Sequence, residues 1–154
     1  MKKIFIMMSL GILLTCMAGC EDKGSSKNVD KKDVYKSHEV EGSLIADGLK
    51  ISVSNPKIYK MNTGDAKKNV YTFEISGENV SSSDKGLGSI NFVLKMQDGK
   101  EVNIDPDLDS FGDEVKKNKS ISGPVSFAIE EKNKPQKIIY KVSDKNLAEW
   151  DIKQ

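Results

Sequence analysis

Apolar residues fall into two unlike patterns along this chain. The first is a solid block, since between Ile4 and Leu14 only Ser9 and Gly11 are not strongly apolar. The second begins at Gly42, where short runs alternate apolar and polar positions with the period of half-buried strands. Leu49, Ile51 and Val53 make the first row. Asn55-Pro56 interrupts it, and because proline has no N–H for a ladder, an edge strand or a kink is expected before Ile58 and Tyr59 resume. Met61 to Asn69 reads as a loop. Tyr71, Phe73, Ile75 and Gly77 form the cleanest row, and the polar run from Asn79 to Gly88 ends it. Ile90, Phe92, Leu94 and Met96 follow; Asp98-Gly99 then predicts a hairpin turn, with positive φ at both central residues, into Val102 and Ile104. Residues 105–118 read as an acidic connection. Ile121, Gly123, Val125, Phe127 and Ile129 alternate again, with Pro124 on the other face and so an edge or bulge. Lys132 to Pro135 turns the chain into Ile138, Tyr140 and Val142. From Leu147 onward, either Trp150 and Ile152 share a strand face or Leu147 to Trp150 form one helical turn.

Nowhere do apolar residues recur at helical spacing over three turns, so residues 42–154 are expected to be all-β. Seven or eight short strands at this spacing predict an immunoglobulin-like antiparallel β-sandwich, with Phe73 and Phe127 in inward rows. Residues 20–41 carry only Val29, Val34, Tyr35 and Val40 among charged and polar neighbours. Such a stretch cannot repay the entropy of ordering and reads as a disordered tether, on the order of 25 Å long for about 20 residues. His38, the only histidine, sits there and reads as a solvated residue.

Lys2 and Lys3 precede the apolar block, which is shorter than the roughly 20 residues a spanning helix needs. The order of charge, apolar run and small residues is that of a secretory signal peptide, residues 1–19. Its end, Met17-Ala18-Gly19-Cys20, resembles the lipobox of bacterial lipoproteins. That resemblance implies diacylglycerol on the Cys20 thiol, cleavage just before it, and a chain anchored on the outer face of the cell membrane. Met17, Ala18 and Gly19 are then the peptidase recognition residues. Cys16 is a poorer acceptor because branched Thr15 precedes it, and the alternative is an ordinary signal peptide in which Cys20 is incidental.

Composition narrows the chemistry. Both cysteines lie in or at the end of the signal, so the exported part has no pair to oxidise. The chain has 24 Lys+Arg, all of them lysine, against 23 Asp+Glu. Such a balance, without the arginine fork that reads phosphates and bases, excludes a nucleic-acid partner from the expected reading. With one histidine and no thiol in the domain, neither a cysteine nor a serine triad is available, and no Gly-rich phosphate loop appears. No enzyme activity and no cofactor are expected. Asp105, Asp107 and Asp109 have the spacing of a calcium loop, but Ser110 stands at the turn glycine and Lys116 at the closing glutamate. They are weak metal candidates beside the simpler reading of a solvated connection.

Gly48 to Val53, Tyr71 to Ile75 leading to Asn79, Phe92-Val93-Leu94 with Asp98-Gly99-Lys100, and Gly123 to Phe127 together resemble the domain of unknown function numbered 4352. The resemblance covers about residues 42–154 and implies an immunoglobulin-like sandwich of the kind carried by lipoproteins of Gram-positive bacteria. Gly112-Asp113-Glu114 departs from the turn usual in that family. Two functions follow as expectations. One is a membrane-tethered module holding a protein, peptide or envelope polymer, and the other is an accessory, inhibitory or exclusion-type lipoprotein with no dedicated small ligand.

Overall fold

A computed structural model describes residues 42–63 and 66–153. Met17, Ala18, Gly19, Cys20, the tether and His38 lie outside the described residues. Eleven strands follow in chain order: β1 Ser43–Ala46, β2 Leu49–Val53, β3 Lys57–Thr63, β4 Ala66–Asn79, β5 Lys85–Gly88, β6 Phe92–Met96, β7 Glu101–Asn103, β8 Gly112–Val115, β9 Ser120–Glu130, β10 Pro135–Val142 and β11 Lys145–Asp151. One 3-10 turn, Ser89–Asn91, precedes β6.

The long strand β4 carries one sheet. On one side β9 pairs with it without a break from Lys68↔Glu130 to Glu78↔Ser120, which puts Tyr71, Phe73 and Ile75 opposite Phe127, Val125 and Gly123. On the other side β2 takes its C-terminal part and β3 its N-terminal part. Between them three residues, 54–56, face two, 73–74, so the register slips by one at Pro56. Ser54 bridges the slip. Its N–H donates to the Glu74 carbonyl at 2.9 Å, and its hydroxyl accepts from the Glu74 N–H at 2.8 Å. The expected kink is therefore real, and the hydroxyl stands in for a ladder carbonyl.

The facing sheet has the order β11-β10-β6-β7, and β5 with β8 forms a small two-stranded sheet. With β3, β4, β6, β9, β10 and β11 taken as strands A, B, C, E, F and G, the pairings A-B-E and G-F-C are those of an immunoglobulin-like sandwich. One core fills the space between the sheets. Leu49, Ile51, Phe73, Ile75 and Phe127 come from one side, Leu94, Ile138, Tyr140 and Trp150 from the other, and Leu87 and Val115 from the small sheet. Phe73 and Phe127 meet edge to face at 6.1 Å, the geometry their ring quadrupoles favour. On the outer face of the second sheet, Val93 and Ile139 pair across strands. Beside them lie the ion pairs Lys137–Glu149, at 2.9 Å, and Lys141–Glu101, at 2.8 Å.

Edges are managed locally. β9 is an outer strand, which is where Pro124 is tolerated. The Pro124 carbonyl accepts from the Ser89 hydroxyl at 2.9 Å, and the Ser126 carbonyl accepts from the Asp105 N–H at 3.0 Å. Gly123 is required here, since a Cβ would run into the Phe111 ring. At the far end of β4, buried Asn79 receives the Ser81 N–H at 2.9 Å. Its amide donates to the Ser83 and Val115 carbonyls, both at 2.8 Å.

Several expectations need correction. Met61 to Asn69 is not a loop: β3 and β4 run through it as a long hairpin, and Met61 is buried. Ile90 is not an inward residue, because the 3-10 turn swings it out to 83% exposure. The expected acidic connection contains β8, and the polar run before Ser89 contains β5. Each of these strands offers one buried apolar residue, Leu87 or Val115, too few to show alternation. β1 accounts for the third strand beyond the eight rows of the sequence pattern. It joins β2 through Asp47-Gly48, with φ of 48° and 75°, the turn that matches strand twist. At Asp98-Gly99 only Gly99, at φ 84°, is left-handed. There the Gly99 N–H reaches the Met96 carbonyl at 3.0 Å and the Met96 N–H reaches the Lys100 carbonyl at 2.8 Å. The hairpin is present, but with a three-residue loop closed by a glycine bulge. The last segment is strand, with Trp150 and Ile152 buried.

The core assignment yields a direct test. In a chain lacking residues 1–41, Phe73→Ala or Phe127→Ala should lower unfolding free energy by about 3 to 5 kcal/mol in urea titrations. Glu74→Ala, next to Phe73 on the exposed face of β4 and opposite Pro124, should change it by less than about 0.5 kcal/mol.

Tyr140 yields a second. It is fully buried, its hydroxyl has no hydrogen-bond partner among the described residues, and burial, reinforced by Asp47, pushes its phenol up to about 12. The unfolded phenol ionises near 10, so between these values the unfolded chain has shed a proton that the folded one keeps, and stability falls as pH rises from 10 to 12. Tyr71 and Tyr59 are raised too and add to the same decline. Tyr140→Phe should leave stability at pH 7 equal or up to about 1 kcal/mol higher. It should also remove on the order of 2 kcal/mol of the alkaline loss, measured by denaturation at neutral and alkaline pH.

Candidate functional site

Two turns meet the start of β4 at one end of the sandwich. The β9–β10 turn is tied to β4 by the Glu131 N–H donating to the Lys67 carbonyl at 3.3 Å. It is tied to the β6–β7 turn by the Gln97 N–H donating to the Lys134 carbonyl at 3.1 Å. Both sheets therefore contribute to one platform, and its loops are fixed by backbone bonds. Two open depressions mark its surface. One, of about 530 Å³, is lined by Lys67, Glu130, Glu131 and Lys132. The other, of about 330 Å³, lies between Met96, Gln97, Asp98, Lys132, Asn133 and Lys134.

Lys132 is shared by both depressions and pairs with Glu130 at 2.9 Å. Lys60 pairs with Glu131 at 2.7 Å, and Lys100 with Asp98 at 3.4 Å. These bonds hold the carboxyls of Glu130 and Glu131 below their ordinary values, through Lys132 and Lys60 respectively. All three pairs are solvent-exposed and so hold geometry more than they add stability. Lys67, Lys68 and Lys134 have no carboxylate in ion-pair contact among the described residues. Among the described residues this end carries six lysines against three carboxylates. No single-sequence signal marks it, because its charges come from separate stretches of the chain, the paired ends of β3 and β4 and the β6–β7 and β9–β10 turns.

The acidic candidates are placed elsewhere. Asp105 is half-buried, and Asp107 and Asp109 are exposed, in the connection between β7 and β8 that runs along the β9 edge. The Asp105 carboxylate accepts the Asp107 N–H at 3.0 Å, the geometry of a local turn. Burial raises the Tyr59 phenol against a hydrogen bond with Thr72; the charges of Asp109 and Asp105 add to the rise and place this loop near the outer face of β3. Among the described residues no three histidine, cysteine or acidic side chains come together as a metal-binding group. Near the opposite end, Lys116 bonds both Glu114 and Asp84, and these contacts raise its pKa. Cys20 and the residues before it lie outside the described residues.

A scan against protein-family models finds no match. A search of curated proteins finds none either. Among solved structures the chain is similar to the crystal structure of the yjhA protein from Bacillus subtilis, with 19% identity and a TM-score of 0.50. The match covers 67% of this chain and 79% of that one. At that identity the likeness shows the fold alone.

A test of the acidic loop follows from its geometry. Millimolar calcium should raise the melting temperature no more than magnesium does, because the Asp105 carboxylate accepts a bond within its own turn and no metal-binding group of acids forms among the described residues. A bound calcium at 100 times its dissociation constant would instead add about 2.7 kcal/mol. A calcium-specific rise abolished by Asp107→Asn would establish a site there.

Proposed function

We propose that this chain is a membrane-anchored extracytoplasmic lipoprotein whose immunoglobulin-like domain is an interaction module at the cell envelope. The anchor reading is supported by Met17-Ala18-Gly19-Cys20, placed at the end of a short apolar block that follows two lysines. The observation that carries the module reading is the lysine-rich end of the sandwich, where turns from both sheets are locked together into an exposed, charged platform. A rigid scaffold presenting loops in fixed positions suits recognition of another surface. Membership in the family of the domain of unknown function numbered 4352 belongs to the same proposal and rests on the residues from Gly48 to Phe127 that carry the resemblance.

Cys20→Ala tests the anchor. The variant should appear in the medium or accumulate as an uncleaved precursor, whereas the parent stays with membranes and incorporates labelled fatty acid. Two acyl chains, at about 0.8 kcal/mol per buried CH₂, make the partition difference large. Equal membrane retention of a cleaved Cys20→Ala chain would remove the lipid from the account.

A further inference from the structure

We propose that the lysine-rich end of the sandwich docks on the anionic surface of the membrane that holds the lipid on Cys20, a step that rests on the lipid-anchored reading above. Charge placement is the first argument. Residues 42–154 contain 17 lysines and 17 acids, so a positive excess at one end must be balanced by negative charge elsewhere. Asp105, Asp107, Asp109, Asp113 and Glu114 fall in a stretch without a lysine, between β7 and the end of β8. A neutral domain with separated charge is oriented by an anionic surface, which attracts one region and repels the other.

Chain direction is the second argument. β4 begins at the lysine-rich end; β2 is antiparallel to β4 and β1 is antiparallel to β2, so β1 runs away from that end. Gly42 therefore sits at the end of β1 that faces the lysines, where the Trp150 indole N–H holds it by donating to its carbonyl at 3.1 Å. Ser43 is level with Ser52 and Ser76, about ten residues along β4 from its start. At about 3.3 Å per residue the lysines lie roughly 30 Å beyond Gly42. A linker of about 20 residues spans roughly 25 Å on average and up to about 70 Å when extended, so the domain can set this end on the bilayer.

Energetics make the third argument. Lys67, Lys68 and Lys134 have no carboxylate in ion-pair contact among the described residues, and each lysine near an anionic surface gives about a fivefold preference. Such contacts would be weak for a free protein. For a tethered one the local concentration of membrane is already high, so a modest preference orients the domain. A soluble anionic polymer offers the same charges, but neither the tether nor the direction of β1 brings the domain to it.

The test uses the mature lipidated protein floated with vesicles of phosphatidylcholine alone or with about 30% phosphatidylglycerol. Its lysines are acylated briefly by a water-soluble reagent and read by peptide mass spectrometry. Lys67, Lys68, Lys132 and Lys134 should label at least about fivefold more slowly on the anionic vesicles, an effect lost near 1 M salt. Lys116, Lys117 and Lys119, beside Asn79 at the opposite end, should label equally on both. The variant Lys67→Gln/Lys68→Gln/Lys134→Gln should still float but lose the protection of Lys132. Flotation with equal labelling on both vesicles overturns the docking and leaves the anchor standing. Protection that appears only when a soluble poly(glycerol phosphate) is added also overturns it, in favour of a polymer ligand. Failure to float with neutral vesicles overturns the anchor and the docking with it.

Discussion

The unbroken ladder between β4 and β9 is the constraint on which the rest of this domain depends. Eleven residue pairs hold one register from Lys68↔Glu130 to Glu78↔Ser120, and a slip by one would turn every core residue of one strand outward. The ladder brings Phe73 and Phe127 into edge-to-face contact at the middle of the core. It also commits β4 to β9 on one side, so β2 and β3 must share the other. That sharing makes the slip at Pro56 tolerable, because Ser54 supplies the bond the ladder loses there.

Both ends of β4 are organised by polar chemistry, but in different ways. At its C-terminal end buried Asn79 accepts from the Ser81 N–H and donates to the Ser83 and Val115 carbonyls, so the turn after β4 and strand β8 are joined to one amide. A buried network of this kind is stable only when complete, and it defines one arrangement of those loops. At the N-terminal end the turns meet through backbone bonds while their side chains face solvent. One end is organised by a buried side-chain amide, whereas the other is organised by backbone bonds and presents more lysines than carboxylates. That difference gives the lysine-rich end its interest as a recognition surface.

The sequence-level address and the surface charge complement each other in the proposed function. A lipid at Cys20 and a linker of about 20 residues would confine the domain near a bilayer, where weak contacts gain force from proximity. Exposed lysines on locked turns then need not bind tightly to matter. Much of the strength of such a module would lie in placement.

Period-two alternation made the principal strands legible, because a strand that buries one face must repeat every second residue. Leu49 to Val53, Tyr71 to Gly77 and Val125 to Ile129 were readable for that reason, as were the kink at Pro56 and the edge position of Pro124. The strands that escaped, β1, β5 and β8, are short and place one side chain or none fully in the main core, so no periodic signal exists to read. The turn at Asp98-Gly99 was visible as a turn but not in its geometry, which depends on where the flanking strands end. Composition and spacing by themselves determined the all-β class and carry the lipobox resemblance, since each is written in contiguous residues. Only the tertiary structure decided that Lys67, Lys68, Lys132 and Lys134 share one surface and that Asp105 turns on itself beside the β9 edge. Those relations arise when distant strands pair, and pairing is set by the three-dimensional packing of both sheets around one core.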